Sequence, residues 1–284
     1  MRIAIVSDVH ANLAALEAIL RHAEAAGPID GVWCLGDTVG YGPQPSQCVA
    51  RLRELEATAV AGNHDRAGTG KMGVEEFNAD AAAAALWTRD HLLEDDAAYL
   101  DALPEVAYAS PSPGRPDRIG APPGTGLNAG AWGRQHDPSL KVGASGAEFT
   151  LVHGTLRWPI WEYLYSYEAA RAHLDRQETP FSLVGHTHVP TLVAEGAEFE
   201  HGCEMYYLED GQSVPLPDDR KIVLNPGGVG QPRDGDPRAA YALYDTEART
   251  VTVHRVEYDI AATQALMKAA GLPRRLIDRL AVGR

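Results

Sequence analysis

The feature that most constrains this chain is a repeated step from a short apolar run to a polar cluster. Val6 leads to Asp8-Val9-His10, Leu35 to Gly36-Asp37, and Ala61 to Gly62-Asn63-His64-Asp65. Further on, Val152 leads to His153, and Val184 to Gly185-His186-Thr187-His188. The runs are short and strand-like. Between the first three lie helical patterns. Leu13, Leu16, Ile19, Leu20 and Ala23 recur at helical spacing before Gly27-Pro28, and Val49, Leu52 and Leu55 line one face of residues 46–56. Strand alternating with helix predicts a largely parallel sheet covered by helices. Such sheets place their sites at the carboxyl ends of strands, so the five clusters can converge on one crevice.

The rest of the chain is less regular. Residues 74–100 are rich in Ala and read as one helical stretch ending before Pro104. Strands are expected at 106–108 and 149–152, separated by a segment, 110–146, dense in Pro, Gly and Ser. A loop of that length is either functional or flexible. From Phe181 strands dominate, at 181–184, 191–194, 205–208, 221–224, 239–244 and 250–256, and helices at 260–270 and 273–282 close the sequence. No repeat or interdomain linker is evident, so one domain over residues 1–284 is expected, with 110–146 as an insert.

Bulk properties exclude several classes. The 284 residues carry a formal charge of −14, which repels polyanions and disfavours stable duplex nucleic-acid binding. No apolar run approaches the roughly 20 residues of a membrane helix. The N-terminus lacks signal-peptide anatomy. Cys34, Cys48 and Cys203 form no CxxC pair and read as inert reduced thiols, consistent with a cytoplasmic protein.

The clusters have the chemistry of a metal site. Residues two apart on extended backbone point the same way, so Asp8 with His10, and His186 with His188, can each serve a common centre. Imidazole with carboxylate suits manganese, iron, zinc, nickel or cobalt better than calcium. Asp37 is the natural bridge, since one carboxylate can give an oxygen to each of two ions. Two such ions stabilise both the attacking and leaving oxygens of an in-line displacement.

The ordered series DVH, GD, GNHD, HG and GHTH resembles the calcineurin-like metallophosphoesterase superfamily. The ending LNPGGVGQPRDGDPRAAYAL resembles its bacterial and archaeal phosphodiesterase branch. The resemblance leaves 110–146 outside it. It implies a four-layer α/β/β/α sandwich of two mixed sheets flanked by helices. It implies that Asp8, His10, Asp37 and His188 hold one divalent ion, and Asp37, Asn63, His153 and His186 the other, with manganese expected to serve in vitro. His64 matches the residue that binds the phosphoryl group and protonates the leaving oxygen, with Asp65 orienting it. His22, His91, His136, His173, His201 and His254 match no motif and are read as structural or surface residues.

One departure narrows the substrate. Protein phosphatases and dinucleoside tetraphosphatases resemble GDxVDRG followed by GNHE, whereas this chain has GDTVGYG followed by GNHD. Gly40-Tyr41 replaces the aspartate-arginine pair, so that phosphate-clamping arginine is missing. A small phosphodiester, including a nucleotide-like one, is the leading substrate; a phosphomonoester is the alternative. Asn225, Gly227, Arg233 or Arg238 are candidates for the missing phosphate contact, although turn chemistry and surface ion pairs explain them as well. Tyr41, Trp158, Trp161, Tyr163 and Tyr165 could stack a base, but core packing or an oligomer contact is favoured for the four after His153. A non-catalytic metal-binding scaffold is the competing class. The presence of His64 and every expected ligand argues against it.

Overall fold

The computed structural model describes residues 1–111 and 147–284. Its strands in chain order are β1 (Arg2–Val6), β2 (Gly31–Cys34), β3 (Thr58–Ala59), β4 (Val106–Ala109), β5 (Phe149–Val152) and β6 (Phe181–Leu183). They continue as β7 (Thr191–Glu195), β8 (Cys203–Tyr207), β9 (Ser213–Pro215), β10 (Ile222–Asn225), β11 (Ala239–Asp245) and β12 (Thr250–Val256). The helices are α1 (Leu13–Ala25), α2 (Pro45–Glu54), α3 (Asn63–Thr69), α4 (Ala79–His91), α5 (Glu94–Ala102), α6 (Tyr167–Leu174), α7 (Ile260–Ala269) and α8 (Arg274–Arg279).

Two mixed six-stranded sheets result, ordered β3-β2-β1-β11-β12-β9 and β4-β5-β6-β10-β7-β8. The first three strands of the chain are mutually parallel, as the strand–helix alternation predicts, and β11 adds antiparallel to β1. Strand alternation explains the layers. Ile3 and Ile5 of β1 face the second sheet, in one cluster with Trp33, Phe149, Leu151, Phe181, Leu183 and Leu224. Ala4 and Val6 point the other way, onto Leu16, Ile19 and Leu20 of α1 and Val49 and Leu52 of α2. On the far face Val152, Val184 and Val223 pack with Ala169, Ala170 and Leu174 of α6. The expected four-layer sandwich is therefore the observed one.

Differences lie where local signals were weak. The helical stretch at 74–100 is two helices, α4 and α5. Extended backbone at Leu92 and Leu93 separates them, and Leu93 N donates to Ser46 Oγ at 3.0 Å. Glu94, Asp95 and Asp96 then open α5, where carboxylates favour a helix N-terminus. Two further helices, α3 and α6, and strand β9 were not expected from the sequence.

The β4–β5 pair is antiparallel, with Ala109 opposite Phe149 and Val106 opposite Val152. The connection between them, outside the described residues, joins the strand ends opposite to that carrying His153. Replacing residues 110–146 by a short turn is expected to keep ester turnover within about twofold, because loop length costs little in closure entropy. Steady-state kinetics on the folded, metal-loaded variant check this; loss of turnover would make the segment part of the active site.

Candidate metal centre

The polar clusters leave their strands through left-handed backbone. Asp8, His10, Asp37, His186 and His188 have φ of 54, 48, 51, 65 and 60°. These values correct the extended-backbone expectation: tight turns, not strand alternation, aim the side chains. Such a conformation costs a non-glycine residue on the order of 1–3 kcal/mol, and its concentration at one place marks a functional site. The turns are laced together, with Asp8 N donating to Gly36 O at 3.1 Å and His10 N to Asp37 O at 2.9 Å.

All seven expected ligands are buried at the carboxyl ends of β1, β2, β3, β5 and β6. They form two clusters sharing one carboxylate. In the first, His188 Nε2 lies 3.1 Å from Asp8 Oδ1 and 3.1 Å from His10 Nε2. In the second, His153 Nε2 lies 3.0 Å from His186 Nδ1 and 3.2 Å from Asn63 Oδ1. Asp37 Oδ2 stands between them, 3.7 Å from His10 Nε2 and 3.3 Å from His153 Nε2. His186 and His188 thus serve different clusters, despite being two residues apart.

The donor set fits cations. His10 Nδ1 faces Val39 O at 3.1 Å, His153 Nδ1 faces Leu35 O at 2.8 Å, and His186 Nε2 faces Trp161 O at 3.2 Å. His188 Nδ1 faces Gln231 O. With the N–H assigned toward each carbonyl, every opposite nitrogen presents a lone pair inward. Lone pairs at 3.0 and 3.1 Å repel unless a cation joins them. Asp8 Oδ1, buried beside them, accepts no hydrogen bond. The ligand atoms of Asp8, His10 and His188, and those of Asp37, His153 and His186, each lie within 4.8 Å of one another.

The local electrostatics point the same way. Burial raises the Asp8 and Asp37 carboxyls, but the histidines outweigh it, His188 at Asp8 and His153 at Asp37, and hold both well below the usual range. Burial disfavours a charged His153, yet the Asp37 carboxylate overrides it and raises the imidazole to about 9. The carboxylates call for positive charge here, which a divalent ion supplies more fully than a proton.

His64 is adjacent, with a ring nitrogen within 4.8 Å of ligand atoms of His10 and Asp37. Its ring packs 4.3 Å from that of Tyr41, 4.9 Å from that of His10 and 4.8 Å from that of Phe77. Its backbone N donates to Asp37 Oδ1 at 2.8 Å, while its Nδ1 has no hydrogen-bond partner. Burial lowers its imidazole to about 4 despite the pull of Asp37. The expectation that Asp65 orients His64 is corrected. Asp65 accepts from Gly62 N at 2.9 Å and Val39 N at 3.1 Å, so it fixes the two loops that carry Asn63 and Asp37. As the third residue of α3, its carboxylate turns back to the N-cap instead of forward to the ring.

Gly62 is required by close approach. A Cβ there would fall 2.1 Å from Asp37 Oδ1 and 2.4 Å from Asp37 N. Gly62→Ala is expected to weaken metal binding by about 10–100-fold, the usual cost of disturbing the support of a ligand. Calorimetric titration with manganese checks it; unchanged affinity would mean that Asp37 is free to move.

The other substrate candidates separate. Tyr41 lies in the site, its ring 4.5 Å from that of His10, and the Arg233 guanidinium lies 5.9 Å from the Tyr41 centroid. Asn225 instead holds the loop, donating to Gly185 O at 2.6 Å and Thr187 Oγ1 at 3.0 Å. Gly227, at φ 86°, is enclosed by Pro190 and Ala240. Arg238 pairs with Asp236 at 2.7 Å and Asp210 at 2.8 Å, away from the ligands. Tyr163, 42% exposed, stacks on the His186 ring at 3.8 Å and on Tyr165, 54% exposed, at 5.4 Å. These two tyrosines are not in a core, so of the two expectations, core packing or an oligomer contact, the first does not hold for them. Trp161 packs on Phe77, and exposed Trp158 lies under Arg157. The carbonyls that fix the histidines, and Phe77, carried no sequence signal.

Two sheets with paired His/carboxylate clusters at their strand ends define a metallophosphoesterase centre. The chain belongs to the calcineurin-like phosphoesterase superfamily, whose domain description matches residues 1–249. It is similar to a metallophosphoesterase from Sphaerobacter thermophilus whose crystal structure is known, with 42% identity and a TM-score of 0.77, covering 100% of this chain and 99% of that one. An uncharacterized protein of Methanocaldococcus jannaschii is 32% identical across 99% of this chain and 98% of its own length. A hypothetical protein of Pyrococcus horikoshii OT3 shares the fold, with 20% identity, a TM-score of 0.69 and coverage of 100% and 98%. Among the described residues no helix is long and apolar enough to cross a membrane.

Proposed function

We propose that this chain hydrolyses small phosphodiesters, nucleotide-like ones included, at a dinuclear centre. The observation that carries this reading is Asp37 Oδ2, placed between the two lone-pair clusters, 3.7 and 3.3 Å from a histidine of each. Asp8, His10, His188 and Asp37 would hold one ion, and Asp37, Asn63, His153 and His186 the other. When bound, the ions supply Lewis-acid charge to the attacking and leaving oxygens of an in-line displacement.

The chain's own residues do the remainder. His64 is the proton donor to the leaving oxygen. Its Nδ1 is turned to Gly40, where an added Cβ would fall 2.4 Å away, which leaves Nε2 for that role. Burial, reinforced by the neighbouring Arg233 charge, disfavours the imidazolium, and an anionic phosphoryl group docking beside the ring offsets this. The exposed Tyr163–Tyr165 stack beside ligand His186 favours a diester, because it offers a flat surface to a second, aromatic ester group.

A metal-reconstituted screen of chromogenic mono- and diesters, nucleotides and cyclic nucleotides tests the proposal. Higher kcat/KM on bis(p-nitrophenyl) phosphate than on p-nitrophenyl phosphate is expected. The reverse order would assign the monoester instead.

A further inference from the structure

The loop after β10 is built onto the turns that carry the metal ligands. Val229 N donates to Ser7 O and Gly230 N to Asp8 O, each at 2.9 Å. Gly228 lies against His188, where an added Cβ would fall 3.0 Å from the His188 Cβ. Buried Gln231 then serves twice. Its carbonyl fixes His188 Nδ1, and its Oε1 accepts from Arg233 Nε at 3.4 Å and Nη2 at 3.3 Å. Arginine offers donors alone, so the amide oxygen is the atom that faces it. Arg233 Nη2 also donates to the Tyr41 hydroxyl at 3.4 Å. The Tyr41 ring in turn stands 4.5 Å from that of His10 and 4.3 Å from that of His64. Two partners from separate segments thus hold one guanidinium at the edge of the centre.

Both partners are neutral. Arg238 pairs with Asp236 and Asp210, and Arg255 with Asp234. Among the described residues no carboxylate lies within ion-pair distance of Arg233, although Asp234 is the next residue in the chain. Asp8, whose charge reaches Arg233, is committed to metal in the proposed assignment. The half-buried guanidinium disfavours protonation of His10, His64 and His188 around it. A cation kept there without a counter-charge calls for an anion, and a guanidinium fork matches phosphoryl oxygens. Tyr41, moreover, stands at the arginine position of GDxVDRG. The residue that replaces the missing clamp is the one that holds Arg233.

We propose that Arg233 is the phosphate clamp of this site, donating to a non-bridging oxygen of the scissile phosphoryl group, with Tyr41 and Gln231 as the positioning residues that aim it. This assignment rests on the phosphoesterase reading, and it makes Tyr41 the support of an arginine instead of a stacking surface for a base.

Calorimetric titration of inorganic phosphate into the manganese-loaded chain tests it, with manganese affinity measured on the same preparations. Arg233→Gln should bind phosphate about 10–100-fold more weakly, the scale of a charge-assisted hydrogen bond. It should bind manganese as the native chain does, since the Gln231 carbonyl that fixes His188 belongs to the main chain. Arg233→Lys should recover part of the loss, because an ammonium keeps the charge without the fork. Tyr41→Phe keeps the ring and removes only the hydroxyl, so a weakening of about 2–10-fold is expected. Arg274→Gln, at a side chain 91% exposed, should leave the affinity as it is. Should Arg233→Gln fold poorly, Arg233→Lys and Tyr41→Phe carry the same comparison. Phosphate affinity unchanged by Arg233→Gln, an equal loss in Arg274→Gln, or loss of manganese along with phosphate would each overturn the clamp. Phosphate binding that depends on Arg233, in a chain that hydrolyses no ester, would overturn the proposed activity and leave the clamp standing.

Discussion

Asp37→Ala is expected to abolish turnover and to empty both halves of the centre at once. Asp37 Oδ2 is, among the described residues, the carboxylate oxygen close to a histidine ring of each cluster, and Oδ1 accepts from His64 N at 2.8 Å. Disturbing only the support of a ligand costs about 10–100-fold in metal affinity, so removing the shared ligand should exceed that for both ions. Stability should fall as well, because buried His64 N loses its acceptor and His153 loses its counter-charge. His10→Ala makes the contrast. It touches one cluster, so its metal content should fall to about half while the second cluster, His153, His186 and Asn63, keeps its ion. Elemental analysis and kinetics on the same preparations separate the outcomes. An Asp37→Ala chain that still carries both ions would show that Asp37 is not the bridge.

His64→Ala should do the opposite, retaining metal and losing turnover. Its imidazole is a ligand of neither cluster in the proposed assignment, yet it packs 4.9 Å from His10 and beside Tyr41. General acid catalysis typically contributes about 10²–10⁴-fold, and a good leaving group needs less of it. The loss should therefore be larger for an alkyl ester than for a nitrophenyl ester, whose leaving oxygen departs with little protonation. An equal loss on both would assign His64 to phosphoryl binding. No loss on either, in a metal-loaded variant, would favour a metal-bearing scaffold.

Much of this architecture was legible because hydrophobic pattern and motif order agree. The apolar runs before Asp8, Asp37, Asn63, His153 and His186 are the strand ends or their continuations at which those residues stand. Convergence of the ligands followed from the rule that α/β sites lie at carboxyl ends of strands. What failed was geometry that no periodicity encodes. The left-handed φ of Asp8 and His10 is set by hydrogen bonds to Gly36 and Asp37, far along the chain. Asp65 sits next to His64 in sequence, but helix α3 turns its carboxylate back onto Gly62 N. The tyrosines after His153 were read as core or contact residues, since aromatic side chains usually are; the fold leaves Tyr163 and Tyr165 exposed beside His186.

The central claim, two metal ions serving ester hydrolysis, is tested most directly by counting metal and turnover together. Protein is purified without chelator, analysed for transition metals, and assayed on bis(p-nitrophenyl) phosphate before and after exhaustive chelation. The expected result is about two ions per chain in the active preparation, the number of clusters that share Asp37. Turnover should vanish on chelation and return with added manganese. Full turnover by protein from which all detectable metal has been removed would contradict the account.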